Sequence, residues 1–362
     1  MDEQRHNHCG QDRNIAFDIL RMAAMLMVTM LHITGHGLRK AEIEAFSSTY
    51  WIALVFNTFS LTAVNCFVLI SGYFLSEKST SPKKISSLWF QVWTYSVGIY
   101  VVLCLIPGAN VSFHIKTLVE CCCPLLSNQY WFFTCYFLLY LTAPILNKLT
   151  AVWSQQEHKA ALMVLIVAFS VIPSVNVWGD SFGTNHGYSL VWFVVLYLIA
   201  AYIRKYSPHW PVHPLISYAI PCAILCVFQA VITAWKPENG SVQAVLSGQS
   251  GYNGPLILCA SVGLLVWAKN AAFHVNGGIA KAVTAMASLS FGVYLLQDHG
   301  TIRPLLWNDW VCLADVVGSG GAFLCRVIWV LVILFAAGLA VEFVRKKIAG
   351  CLAHIFQSEK HI

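Results

Sequence analysis

Apolar residues run through this chain in long blocks separated by short polar stretches. Ten blocks read as membrane-crossing helices, which need about 20 apolar residues each. They cover residues 14–36, 51–75, 88–107, 130–147, 160–178, 189–204, 214–235, 255–269, 282–299 and 321–344. The predicted fold class is an all-α integral membrane protein of about ten transmembrane helices. The blocks and their loops use up the sequence, which predicts one integral domain over 14–345. Short tails precede it (1–13) and follow it (346–362).

Composition supports the class. Hydrophobic residues make up 58% of the 362 residues, charged residues 10%, and the mean hydropathy is +0.66. A soluble domain carries about 25% charged residues. The charges also orient the chain, because cytoplasmic loops of membrane proteins are rich in Lys and Arg. Of the 22 Lys and Arg, fifteen fall in segments on the side of the N-terminus. Five fall opposite (Arg39, Lys40, Lys116, Lys236 and Arg303), and Arg21 and Arg326 lie in spans. Both termini are therefore expected in the cytoplasm. A net charge of +6, placed in loops between spans, offers no patch for nucleic acid.

The first block, NIAFDILRMAAMLMVTMLHITGH, departs from the pattern. It carries Asp18, Arg21 and His32 within an apolar span. Ionisable groups inside a membrane are costly and mark a functional pathway by default. Arg21 and His32 are eleven residues apart, about three helical turns plus 20°, which sets both on one helix face roughly 16 Å apart. Asp18 stands three residues before Arg21, at pairing distance across one turn. Arg21 is then expected toward the cytoplasm and His32 toward the outside. The block is too long and too polar for a cleaved signal peptide.

Later blocks add candidates. The second ends in NCFVLISGYFLSEKS, where Gly72 admits a neighbouring backbone. The loop after it carries Lys78, Lys83 and Lys84. These serve orientation, or they bind phosphate. The fourth opens on Tyr130 and Trp131, which suit an aromatic belt at the interface and are also candidates to line a site. The stretch from 236 to 254, with Gly240, Gly248, Gly251 and Gly254, reads as a flexible lip. The ninth block, SLSFGVYLLQDHGTIRPLLW, runs into Asp298, His299 and Arg303, which either satisfy one another as a salt-bridge knot or line a substrate cavity. The 13 cysteines lie mostly in apolar blocks, where Cys behaves as a small hydrophobe. No C-x-x-C and no zinc-like Cys/His spacing occurs, so no metal is expected.

Taken in order, these stretches resemble the membrane acyltransferase-3 family, many of whose members acetylate sugars of bacterial surface polysaccharides. The resemblance rests on Asp18, Arg21 and His32 in the first span, on NCFVLISGYFL, on the YWFF opening of the fourth, and on SLSFGVYLLQDH. It implies a plasma-membrane O-acetyltransferase that uses acetyl-coenzyme A as donor substrate, with no bound cofactor. The acceptor would be a hydroxyl of a lipid-linked or surface glycan. His32 would be the catalytic histidine, with Arg21 and Asp18 as its partners in the motif. Asp298, His299, Arg303, Trp131 and Tyr130 would meet the acceptor, and Lys78, Lys83 and Lys84 the donor. Many relatives have arginines in that last loop, and often His where Gln297 stands. Beyond membrane lipids and the acceptor no partner is implied. A proton-coupled transporter or flippase of a glycan or small polar solute is the competing class. Against it, no pair of Gly- or Pro-broken spans occupies matching positions in two halves. A membrane assembly protein without chemistry is a third.

Overall fold

The computed structural model describes residues 14–78, 81–180, 182–235, 245, 248–273 and 275–358. The expected tail 1–13 therefore lies outside the described residues. Among those described there is no strand. The main helices are α1 (Ile15–His32), α2 (Ser48–Ser60), α3 (Ala63–Leu75), α4 (Pro82–Leu105), α5 (Ile115–Cys122), α6 (Trp131–Val152) and α7 (Gln155–Ile166). They continue with α8 (Leu190–Tyr206), α9 (Pro214–Trp235), α10 (Pro255–Asn270), α11 (Gly277–Leu289), α12 (Phe291–Gln297) and α13 (Gly320–Ser358).

Each of the ten apolar blocks coincides with a helix or a helix pair. Eight of these, among the described residues, are long and apolar enough to cross a membrane. The two others are α8, with 17 residues, and α10, with 16. Both sit inside the bundle, packed against α3. Hydropathy alone does not separate such an enclosed helix from a lipid-facing one. The outer helices instead present large apolar side chains to their surroundings, Leu105 at 75% exposure and Ile145 at 68% among them.

α1 packs against α2, α3, α10, α11, α12 and α13 and is the hub of the bundle. Its start is fixed twice by Asn14. The Asn14 side chain accepts from the Ala16 N–H, an N-cap, and donates to the Ala268 carbonyl at 3.0 Å. After His32 the helix widens into a π turn, Ile33–Gly37. Such turns insert one residue and recur at functional sites. Here Thr34 Oγ1 lies 3.0 Å from both the Met30 carbonyl and Asn57 Oδ1, tying the turn to α2.

Gly72 behaves as its sequence implied. A Cβ there would come within 3.0 Å of the Ala200 Cβ and 3.1 Å of the Tyr197 Cα, so α3 and α8 pack backbone to backbone. The last helix does not end with its apolar block near residue 344. α13 runs on to Ser358 through Arg345, Lys346 and Lys347. Such charges end a membrane span without ending a helix, since Lys and Arg are good helix formers.

Candidate active site

Two cavities open along one face of α1. The first, of about 670 Å³, lies at its N-terminal end and is lined by Asn14, Phe17, Asp18, Arg21, Tyr73, Phe74, Glu77, Lys78, Arg204 and Lys269. Asp18 is buried and pairs with Arg21 at 2.7 Å, while its other oxygen accepts from Thr284 at 2.9 Å. Thr284 thus fixes the carboxylate that holds the guanidinium, which also lies 5.6 Å from the Phe74 ring centre. Arg204 pairs with Glu77 at 2.6 Å and lies over Tyr73. Lys78 and Lys269 are in none of the described ion pairs, so the cavity is basic. An Arg with a planar, oriented fork suits a phosphate.

Of the three lysines expected at the donor, Lys78 lines this cavity and Lys83 and Lys84 do not. They are exposed on the first turn of α4 and are absent from the cavity lining. The proline-started helix directs the chain away after Lys78. Arg204 and Lys269, from the C-terminal turns of α8 and α10, line it instead. In the sequence both read only as loop charges that orient the spans.

The second cavity, of about 390 Å³, lies at the other end of the face. Met25, Val28 and His32 line it from α1, and Gly35 and His36 from the π turn. Spacings of four, three and four residues from Arg21 keep Met25, Val28 and His32 on the Arg21 side, as the eleven-residue separation required. The walls are aromatic: Phe67, Trp131, Phe132, Tyr188, Tyr252, Phe291 and Tyr294. Trp131 stacks on Tyr252 with ring centres 6.0 Å apart and lies 4.3 Å from the Tyr188 ring centre. Asn57, Asp298 and Arg303 supply the polar groups.

The His32 ring is 5.3 Å from that of His36, and His36 Nε2 lies 3.9 Å from Asp298 Oδ1. Arg303 Nη1 approaches the same oxygen at 3.3 Å. His32 Nδ1 and Gln297 Oε1 are both buried without a hydrogen-bond partner, and the two side chains lie close enough to interact. Gln297 Nε2 is occupied by Thr29 Oγ1 at 3.1 Å. His32, His36 and Asp298 have donor atoms within 4.8 Å of one another, the one such trio among the described residues. The Arg303 charge on Asp298 opposes a cation there.

Of the expected acceptor contacts, Trp131, Asp298 and Arg303 line this cavity. Tyr130 and His299 do not. Tyr130 is wholly buried, and its hydroxyl donates to the Leu295 carbonyl at 3.0 Å. The Thr301 N–H donates to His299 Nδ1 at 3.1 Å, so Nε2 carries the proton and donates to the Ser96 carbonyl at 2.9 Å. With every polar atom engaged, both residues brace the wall from behind. Adjacency in sequence hid this: Tyr130 and Trp131 point to different sides of a helix start, as do Asp298 and His299 of a helix end.

The stretch expected as a flexible lip is packed where it is described; Gly240 lies outside the described residues. Tyr252 and Asn253 are buried, and Asn253 Nδ2 donates to the Phe169 carbonyl at 3.0 Å. The Tyr252 N–H meets the His186 carbonyl at 2.9 Å. Gly187, at φ +90°, leaves no room for a side chain, since a Cβ would fall 2.7 Å from the Tyr252 Cβ. The turn that delivers Tyr188 is tied by Asp180, which accepts from the Thr184 N–H at 2.9 Å, the Thr184 hydroxyl and the Asn185 N–H. Burial pushes the Asp180 carboxyl up, but these donors outweigh it and hold the group below its ordinary value. A depressed carboxylate adds stability above its unfolded pKa and loses it as pH falls through the folded one. The tie is thus fully present at neutral pH. Asp180→Ala is expected to raise the acceptor KM about fivefold through a loosened Tyr188, with kcat unchanged in steady-state assays.

A family model described as "Acyltransferase domain" matches residues 14–344. The chain belongs to the membrane acyltransferase-3 family. No curated protein and no solved structure matches it. The match makes the protein a membrane acyltransferase and does not favour the carrier alternative. In this acyltransferase the matched segment takes in both cavities, from Asn14 in the first to Arg303 in the second.

Proposed function

We propose that the protein is an O-acetyltransferase. Acetyl-coenzyme A binds at the Arg21 end of α1, and a glycan hydroxyl is acetylated at the His32 end. One observation carries the reading: a basic cavity and an aromatic, histidine-bearing cavity lie along the same face of the same buried helix. The chemistries differ as donor and acceptor differ. Phosphates of the nucleotide moiety suit Arg21, Lys78, Arg204 and Lys269. Sugar rings suit Trp131, Tyr188 and Tyr252, whose flat faces take C–H groups while Asn57 offers an amide. The roughly 16 Å between Arg21 and His32 is comparable to the reach of a pantetheine arm.

In this mechanism the sugar hydroxyl attacks the thioester carbon and gives its proton to the His32 imidazole. Gln297 lies close to His32 with its Oε1 unpartnered, so a proton on Nδ1 would find an acceptor there and leave Nε2 free to accept. The oxyanion is met by the Tyr294 hydroxyl, which is buried on the cavity wall without a partner, and by the Arg303 charge. Collapse breaks the carbon–sulfur bond, and the thiolate takes the proton back from His32. An ester and free coenzyme A result, with no covalent enzyme intermediate. Following the loop charges, the donor end faces the cytoplasm of a bacterial plasma membrane.

The test is donor-dependent ester formation. Purified protein in lipid vesicles is given radiolabelled acetyl-coenzyme A and a pool of lipid-linked glycans. Label in alkali-labile glycan ester is the expected result. Flux of a glycan without donor, and no ester, would overturn the reading in favour of a carrier.

A further inference from the structure

A third cavity, of about 520 Å³, adjoins the His32 cavity and shares His36 and Arg303 with it. Its own wall adds Arg39, Lys40 and Trp307. No carboxylate lines it. The one nearby, Asp298, faces the neighbouring cavity and engages Arg303 at 3.3 Å. Arg39 and Lys40 enter none of the ion pairs among the described residues.

Three features set this cluster apart from ordinary loop charge. First, cations are scarce on this side of the protein. Only five of the 22 Lys and Arg fall in the segments opposite the termini, and Arg39, Lys40 and Arg303 are three of those five. They come from segments far apart in sequence and meet at one cavity. Second, Trp307 is 3% exposed, and its indole N–H is buried without a hydrogen-bond partner. A donor left so is costly unless a ligand accepts from it. Third, the cluster does not stand alone on the surface. It opens beside the group expected to do the chemistry, with the Trp307 ring centre 6.4 Å from that of His32 and 6.3 Å from that of His36.

We infer that this cavity binds an anionic group of the acceptor, a phosphate or a carboxylate carried close to the hydroxyl that is acylated. The inference rests on the acyltransfer reading above and adds the acceptor's charge to it. Arg303 bridges the two cavities and couples anion binding to the placement of the sugar beside His32. A neutral sugar would fill the aromatic cavity and leave three positive charges and a buried indole N–H without an anionic partner. An acidic sugar, or one joined to a lipid through a diphosphate, would satisfy both cavities at once.

The experiment measures binding without acetyl-coenzyme A. The full chain is placed in phosphatidylcholine vesicles, which bring no net headgroup charge. Radiolabelled octyl glucuronide and farnesyl diphosphate-linked N-acetylglucosamine are each compared with a neutral counterpart, octyl glucoside and farnesyl N-acetylglucosaminide. At least one anionic probe is expected to bind about tenfold or more tightly than its counterpart, with a preference that falls as salt is added. In the Arg39→Gln/Lys40→Gln double variant that preference is lost, while the neutral probes bind as before and report an intact aromatic cavity. Preference for the glucuronide alone puts the charge in the glycan; preference for the diphosphate alone puts it in the lipid linkage. Equal binding of charged and neutral probes, or a preference unchanged in the double variant, overturns the inference. A charge preference with no ester formed on adding donor leaves the anion site standing and overturns the acyltransfer reading instead.

Discussion

Replacing His32 by alanine is expected to lower ester formation about 10²–10⁴-fold, the usual worth of a positioned general base. The loss should fall on kcat, since a sugar hydroxyl keeps its proton at neutral pH and is a poor nucleophile without a base. Stability should change little. The ring packs against His36, Tyr294 and Trp307, but its Nδ1 has no hydrogen-bond partner to lose, and it borders a cavity rather than filling the core. Gln297 holds its contact with Thr29 independently. Steady-state rates with saturating donor, set beside the melting temperature of the same preparation, separate the two effects. A variant that melts like the wild type and keeps its rate would remove His32 from the chemistry.

The second large effect belongs to Arg21. Arg21→Lys is expected to raise the KM for acetyl-coenzyme A about tenfold, the loss of one charge-assisted fork contact, with kcat at saturating donor nearly unchanged. Lysine keeps the positive charge but not the planar fork that Asp18 and Thr284 help to orient. The separation along α1 makes the split informative. A residue about three turns from His32 acts on donor affinity, whereas an oxyanion donor would act on kcat. Donor titrations of wild type and variant decide between these roles. A lowered kcat with unchanged KM would move Arg21 from binding into the chemistry.

The outline of the fold was legible from apolar block lengths, because a bilayer imposes one length on each helix. What those lengths hide is which helices face lipid. α8 and α10 read like any other span, yet they are the enclosed ones. The polar face of α1 was legible too, since helical geometry alone puts Asp18, Arg21 and His32 on one side. Neighbourhood in the fold was not. Arg204 and Lys269 reach the Arg21 cavity from helices distant in sequence, and Tyr188 and Tyr252 reach Trp131 from two loops. Tyr130 and His299 misled for the opposite reason, each standing next to a cavity residue while pointing elsewhere. His36 had a signal that sequence reading did not use: a second histidine four residues after the first, one turn on along the same face.

The central claim is that donor and acceptor meet the protein at opposite ends of α1. The most direct test reconstitutes the wild-type protein in sealed vesicles of a single orientation. Radiolabelled acetyl-coenzyme A is supplied only on the side of the Arg21 cavity, and glycan acceptor only on the side of the His32 cavity. The account predicts labelled ester on the acceptor side, and none when donor and acceptor are exchanged. Ester formed only when both are supplied on one side would contradict it.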